Sequence, residues 1–181
     1  MTSPKVATVF QEPRLFPYMT VEENIFLPLR LQRIPVRREV RERYEQWLAV
    51  CDLAASAQHY PHQLSGGMKQ KVALVRGFIG GPDFIMLDEP FKSLDWRSKQ
   101  RISAHINAAY PHASLLFVTH VLEEAPLLTE SLLLFRSNHL REFSQRRLDG
   151  HRPRLHQGNG QADARDRPGR LSGLNRFSQS P

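Results

Sequence analysis

Phe84-Ile85-Met86-Leu87-Asp88-Glu89 is the stretch from which the fold is read. Four consecutive apolar residues follow a Gly80-Gly81-Pro82 break and end in two carboxylates. Such a run reads as a parallel strand buried on both faces. Downstream, a helix is expected from Trp96 to Ala109 with Ile102 and Ile106 inward. A second buried strand follows at Leu115 to Val118, with His120 just past its end, and a third at Leu132 to Phe135. Upstream, Val6 to Phe10 reads as a short strand broken by Gln11-Glu12-Pro13. Strand and helix alternate, which places the chain in the α/β class with a largely parallel sheet.

The Val21 to Ser56 region reads as a helical insertion between the first two strands. Thr20 and Glu23 form a capping-box pattern that starts a helix at Val21, running towards Leu29. Pro35 is expected to begin the next helix, because the first helical position needs no N–H. Val36, Val40, Tyr44, Trp47, Leu48 and Cys51 recur at three- and four-residue steps and define its apolar face. Arg37, Arg38, Arg41 and Arg43 read as its solvated side. Pro61-His62-Gln63-Leu64-Ser65-Gly66-Gly67 is a loop opening into a further helix, with Met68, Val72, Val75 and Ile79 as the buried stripe.

Composition narrows the class. No stretch approaches the roughly 18 apolar residues of a membrane-spanning helix. No apolar segment near Met1 marks a secretion signal. The single cysteine, Cys51, cannot pair internally, and a reducing, cytosolic setting fits. Among Val50, Leu53 and Trp47 it reads as a buried filler. The net charge of +7 is unevenly spread. Six arginines and two aspartates from Gly150 to Pro181 contribute +4, leaving +3 for the rest. That basic segment has one aromatic residue, Phe177, and so lacks a stacking platform for single-stranded nucleic acid. From about residue 146 the apolar periodicity stops, and residues 146–181 are expected to be a disordered basic tail to a domain spanning 1–145.

Several residues could carry chemistry. Asp88 and Glu89 sit at the carboxyl edge of the sheet, where open α/β sheets bind ligands. There the first can hold Mg²⁺ and the second polarise a water, although the same pattern fits a helix-start cap. Ser65-Gly66-Gly67 precedes a helix whose free N–H groups suit a phosphate, although an ordinary glycine turn reads the same way. His120 could donate to a phosphate oxygen or be structural. Gln11 is uninformative alone.

The order of the motifs is more specific than any one of them. Val9-Phe10-Gln11-Glu12-Pro13, Leu64-Ser65-Gly66-Gly67-Met68-Lys69-Gln70, Phe84 to Pro90, Ser93-Leu94-Asp95 and Val118-Thr119-His120 follow one another with fixed spacing. This series resembles the ATP-binding-cassette (ABC) ATPase family from the Q-loop onwards, over roughly Ala7 to Phe135. Tyr60-Pro61-His62-Gln63-Leu64 and Asp88-Glu89-Pro90-Phe91-Lys92 look like its nitrate/sulfonate/taurine-type importer branch. The resemblance implies an ATPase that uses ATP and Mg²⁺ in a partial P-loop NTPase fold with a helical subdomain. It implies that Gln11 senses Mg²⁺ and the attacking water, Asp88 holds Mg²⁺, Glu89 is the general base and His120 is the switch histidine. It further implies that Ser65, Gly66 and Gly67 contact ATP held by an opposite subunit, with Asp95 at the interface between the two. The implied partners are a second ATPase subunit, transmembrane permease subunits and, indirectly, a solute-binding protein. The implied location is the cytoplasmic face of the cell membrane, with no nucleic acid.

One family motif is not found. A phosphate-binding loop reads G-x-x-x-x-G-K-[ST], and no Gly-Lys pair occurs in the sequence. Only ten residues precede Gln11, so the chain is expected to be an N-terminally truncated member, with Val6 in an exposed edge strand. Two functions compete on that ground. One is a transporter ATPase subunit present here as a fragment. The other is a non-catalytic subunit that lends its Ser65 loop to an intact partner. Gly77 inside a helix, at a cost of about 1 kcal/mol, and Pro126 in the helix after His120 both read as relaxed constraint.

Overall fold

A computed structural model describes residues 4–129, 131–135 and 143–147. Strand β1 (Val6–Val9) leads into helices α1 (Val21–Leu31), α2 (Arg38–Cys51) and α3 (Gly66–Phe78). Strand β2 (Phe84–Asp88), helix α4 (Trp96–Ala109) and strand β3 (Ser114–Val118) follow. The short helix α5 (Ala125–Leu128) and strands β4 (Ser131–Phe135) and β5 (Phe143–Arg147) complete the order. β1, β2 and β3 form a parallel sheet in that order, in register Thr8 to Met86 to Leu116.

The helical insertion forms as its sequence dictates. The Thr20 hydroxyl accepts from Glu23 N at 3.2 Å, and the Glu23 carboxylate accepts from Thr20 N at 2.9 Å. α2 starts at Arg38, not at Pro35, because Arg37 is extended and serves as the N-cap. Its apolar face buries Tyr44, Trp47, Leu48 and Cys51. Cys51 is the expected filler: its thiol is fully enclosed and burial pushes it up to about 12. The arginine face is solvated as expected at Arg37, Arg38 and Arg41, and only Arg43 is partly buried. Arg41 donates to Glu22 of α1 at 2.7 Å and lies over the Phe26 ring, 5.1 Å from its centre. Arg43 is half-buried and donates to the Ile79 carbonyl at 2.7 Å, satisfying an end group of α3. Trp47 Nε1 donates to the Tyr110 hydroxyl at 3.0 Å, which donates on to the Phe78 carbonyl at 3.1 Å. One polar thread therefore joins α2 to the ends of α3 and α4.

The sheet departs from expectation in two ways. Only one of its faces is buried. Val9, Ile85 and Leu87 are enclosed there, with Ala7, Leu115 and Phe117 half-buried beside them. The opposite face leaves Val6, Met86, Leu116 and Val118 between 38% and 64% exposed. β4 also does not join this sheet. It pairs antiparallel with β5 in a separate two-stranded sheet, and β3 has a single strand neighbour among the described residues. β5 carries no apolar alternation that would signal a strand, and it runs across the expected domain boundary, so residues 146 and 147 are strand and not disordered tail. The proposed tail beyond residue 147 lies outside the described residues.

Both signs of relaxed constraint have structural explanations. A Cβ on Gly77 would stand 2.7 Å from Cγ2 of Val9. Val9 is enclosed and β-branched, so it has little room to yield. The glycine lets α3 lie directly on β1. Gly77→Ala gains about 1 kcal/mol of helix propensity but incurs an overpacking cost of about 1–3 kcal/mol. The expected result is a net loss of stability on the order of 1 kcal/mol in urea unfolding, and a more stable variant would refute this packing. Pro126 falls in the first turn of α5, where no intrahelical N–H is required.

Candidate functional site

Four of the eight candidate residues meet at the carboxyl edge of the sheet. Asp88 ends β2, and Glu89 follows in a left-handed conformation at φ 45°. A non-glycine residue held there costs on the order of 1–3 kcal/mol and is held by its surroundings. Here Glu89 N donates to the Val118 carbonyl at 2.9 Å, extending the β2–β3 pairing by one residue. The turn aims the side chain across the sheet edge. Its Oε1 lies 2.5 Å from Nδ1 of His120, close enough to accept an N–H there. Its Oε2 accepts from Nε2 of Gln11 at 3.4 Å. Residues 78 positions apart before it and 31 positions after it thus grip one carboxylate. His120 remains largely open, with 73% of its side chain exposed, against 20% for Glu89.

The loops that hold these groups are fixed by residues that sequence reading passed over. Arg76 on α3 donates to the carbonyls of Pro13 at 2.7 Å and Arg14 at 3.0 Å, which pins the segment after Gln11. Burial pushes the Arg76 guanidinium below its ordinary range. Its only signal in the sequence is an arginine beside the apolar stripe of α3. Asn24 is enclosed in α1: its side chain accepts from Phe16 N at 2.8 Å and donates to the carbonyls of Phe16, Met19 and Thr20. Its two amide protons are shared among those three carbonyls, and its oxygen satisfies one N–H, which ties together the loop from β1 to α1.

The other four candidates lie at two helix starts. Ser65 caps α3, its hydroxyl accepting from Met68 N at 3.2 Å. Ser65 and Gly66 are exposed. The two glycines are not equivalent. A Cβ on Gly67 would stand 2.7 Å from the Ser93 carbonyl oxygen, whereas no neighbour among the described residues lies within 4 Å of one on Gly66. Gly67 is thus explained by packing within the chain, and Gly66 is not. Asp95 caps α4, accepting from Ser98 N at 2.9 Å and Ser98 Oγ at 2.7 Å. Those two bonds hold its carboxyl below the ordinary range.

Among the described residues, no three His, Cys, Asp or Glu side chains are arranged to hold a metal ion. Asp88 beside Glu89 suits Mg²⁺ in the manner typical of nucleotide sites, where one or two carboxylates supplement substrate phosphates. A cavity of about 460 Å³ lies instead along the outer edge of β1, between Val6, Leu29, Ile34 and Gly77, and contains none of the candidates.

This is an ABC ATPase fold of the P-loop NTPase type. Residues 1–92, half of the chain, match the ABC transporter family model. The chain belongs to the ABC transporter family. It is 35% identical over 139 residues to the spermidine/putrescine import ATP-binding protein PotA of Vibrio cholerae serotype O1, covering 76% of this chain and 37% of that protein. The PotA protein of Escherichia coli strain K12 matches at 35% identity over 139 residues, 76% of this chain and 36% of that one. The chain therefore spans little more than a third of the length of these relatives. Among solved structures, the dimeric ATP-binding cassette MJ0796 in a post-hydrolysis state bound to ADP and Pi superposes with a TM-score of 0.68 at 29% identity, covering 81% of this chain and 64% of that one. The relatives are named for spermidine and putrescine import, which corrects the expected nitrate/sulfonate/taurine branch.

Proposed function

We propose that this chain is part of an ATP-binding subunit that couples ATP hydrolysis to solute import, acting in the cytoplasm against membrane-embedded permease subunits. The observation that carries this reading is the Glu89 carboxylate, held between Gln11 and His120 beside Asp88 at the sheet edge. Phosphoryl transfer needs positioning and charge neutralisation more than covalent chemistry. When bound, Mg²⁺ would supply charge neutralisation at the phosphates. Asp88 would hold that ion. Glu89, with both oxygens oriented, would accept a proton from water, and Gln11 would keep that carboxylate and the water aligned. His120 is exposed enough to reach a phosphate oxygen while its other ring nitrogen stays on Glu89. No helix among the described residues is long and apolar enough to cross a membrane, so transport would depend on partner subunits. The solute, which for the named relatives is spermidine or putrescine, would be selected by those subunits and a solute-binding protein.

The 181 residues contain no Gly-Lys pair for the phosphate-binding loop. Backbone N–H groups and the lysine of such a loop supply much of the hold on phosphate. The chain alone should therefore bind Mg-ATP weakly. Calorimetry giving a submicromolar Kd for the 181-residue chain would overturn the proposal that this half lacks its own nucleotide cradle.

A second reading is favoured by the exposed Ser65-Gly66 helix start, where no described neighbour lies within 4 Å of a Cβ placed on Gly66. In it the chain is a non-catalytic partner that offers this loop to ATP held by an intact second subunit. Co-purification with an intact subunit, and stimulation of that subunit's ATPase, would support it. Failure of both would leave the first reading alone.

A further inference from the structure

We propose that Lys99, Glu124 and Thr119 form a positioning relay that ties the His120 loop to helix α4, and through it to the Asp95 cap. The proposal rests on the reading of His120 as a functional group. Lys99 Nζ lies 2.7 Å from Glu124 Oε1, and the two side chains are only 17% and 4% exposed. The second Glu124 oxygen accepts from the Thr119 hydroxyl at 2.9 Å. The same hydroxyl accepts from Val121 N at 3.0 Å. Thr119 and Val121 flank His120, so one hydroxyl closes the backbone around the histidine and fastens it to a buried carboxylate.

The chemistry makes this a specific arrangement. Replacing a buried ion pair by apolar residues is often neutral or stabilising, so its presence is weak evidence for a stability role. Its value is directional. The carboxylate holds each partner at a defined oxygen, and the threonine hydroxyl uses its single proton towards Glu124 while its lone pair receives Val121 N–H. At the far end, Lys99 N donates to the Asp95 carbonyl at 3.0 Å, and the Asp95 carboxylate caps the same turn. A displacement of the Asp95 loop by a neighbouring subunit would move the first turn of α4, Lys99 and the His120 loop together. Neither Lys99 nor Glu124 touches Glu89 or His120 in the hydrogen-bond pattern, so they act through Thr119.

The test uses the full chain without nucleotide, so it can fail while the transport reading stands. In ¹⁵N-labelled protein, the His120 ring signals, assigned with His120→Asn, report contact with Glu89, and the Val121 amide reports the threonine bond. Thr119→Val removes the hydroxyl at constant shape and leaves the ion pair intact. It should shift the His120 ring signals towards those of a histidine with no carboxylate partner and speed Val121 amide exchange at least tenfold. The paired variant Lys99→Met/Glu124→Leu avoids a stranded charge and should produce the same changes with a cooperative unfolding transition retained. Thr119→Ser keeps the hydroxyl and should restore the parent spectrum. Unchanged His120 signals and Val121 exchange in both Thr119→Val and the paired variant would overturn the relay. Changes in Thr119→Val alone would also overturn it, because the link to α4 would then be absent.

Discussion

Glu89→Gln is expected to lower ATP turnover by about 10²–10⁴-fold, the usual worth of a general base, while nucleotide stays bound. The measurement requires a protein in which a G-x-x-x-x-G-K-[ST] segment is joined ahead of this chain. The geometry makes glutamine an informative replacement. One Glu89 oxygen receives the Gln11 amide and the other faces His120 Nδ1. In the variant, the new amide oxygen can still accept from Gln11, and its NH₂ can donate to Nδ1 when the imidazole carries its proton on Nε2. The network therefore survives with one tautomer selected, and the left-handed turn at residue 89 is unaffected. What is lost is basicity towards water. Steady-state hydrolysis within a factor of a few of the parent would remove Glu89 from the role of base. Loss of nucleotide binding together with turnover would show that the substitution had damaged the site itself.

The sequence made the line of motifs legible because each is a local arrangement. Asp88-Glu89 after an apolar run, Ser65 before α3 and the Thr20/Glu23 capping box depend on residues a few positions apart, and all three appear where expected. The helix Trp96–Ala109 was read to its ends, since Asp95 caps it and Ile102 and Ile106 face inward. What was not legible is long-range. The grip of Gln11 and His120 on Glu89 depends on how three strands align. Arg76, Asn24, Lys99 and Glu124 are ordinary polar residues in helical segments, and only the fold shows the carbonyls and carboxylates they meet. The continuous apolar run at Phe84 predicts a strand covered on both faces because such a run carries no record of what lies above it. The exposed side of Met86, Leu116 and Val118, and the separate β4–β5 pairing, have the same origin. Helix propensity alone carries no information on neighbours, so it does not reveal that Val9 demands Gly77 or that the first turn of α5 tolerates Pro126.

Gly66→Ala should separate folding from function more cleanly than any change at Ser65. Ser65→Ala removes a cap worth about 1 kcal/mol, so a loss of activity there mixes a weakened helix with a missing hydroxyl. Gly66 opens α3, and a Cβ placed on it meets no neighbour within 4 Å among the described residues. Alanine is a better helix former by up to about 1 kcal/mol, so the melting temperature should hold or rise. The added methyl nevertheless projects from the exposed helix start, where close backbone approach is what would let free N–H groups reach a phosphate. In a mixed dimer with an intact ATPase subunit, Gly66→Ala should therefore cut ATPase activity at least tenfold, about 1.4 kcal/mol at the transition state. Gly67→Ala provides the opposite control. Its Cβ would press on the Ser93 carbonyl at 2.7 Å, which is backbone and cannot swing aside. Its expected cost is about 1–3 kcal/mol of stability, seen as a lower midpoint in urea. Full activity in a stable Gly66→Ala dimer would mean that the Ser65 loop meets no nucleotide. An undiminished midpoint in Gly67→Ala would mean that the Ser93 turn is free to move away, and with it the link between this loop and the Asp95 helix.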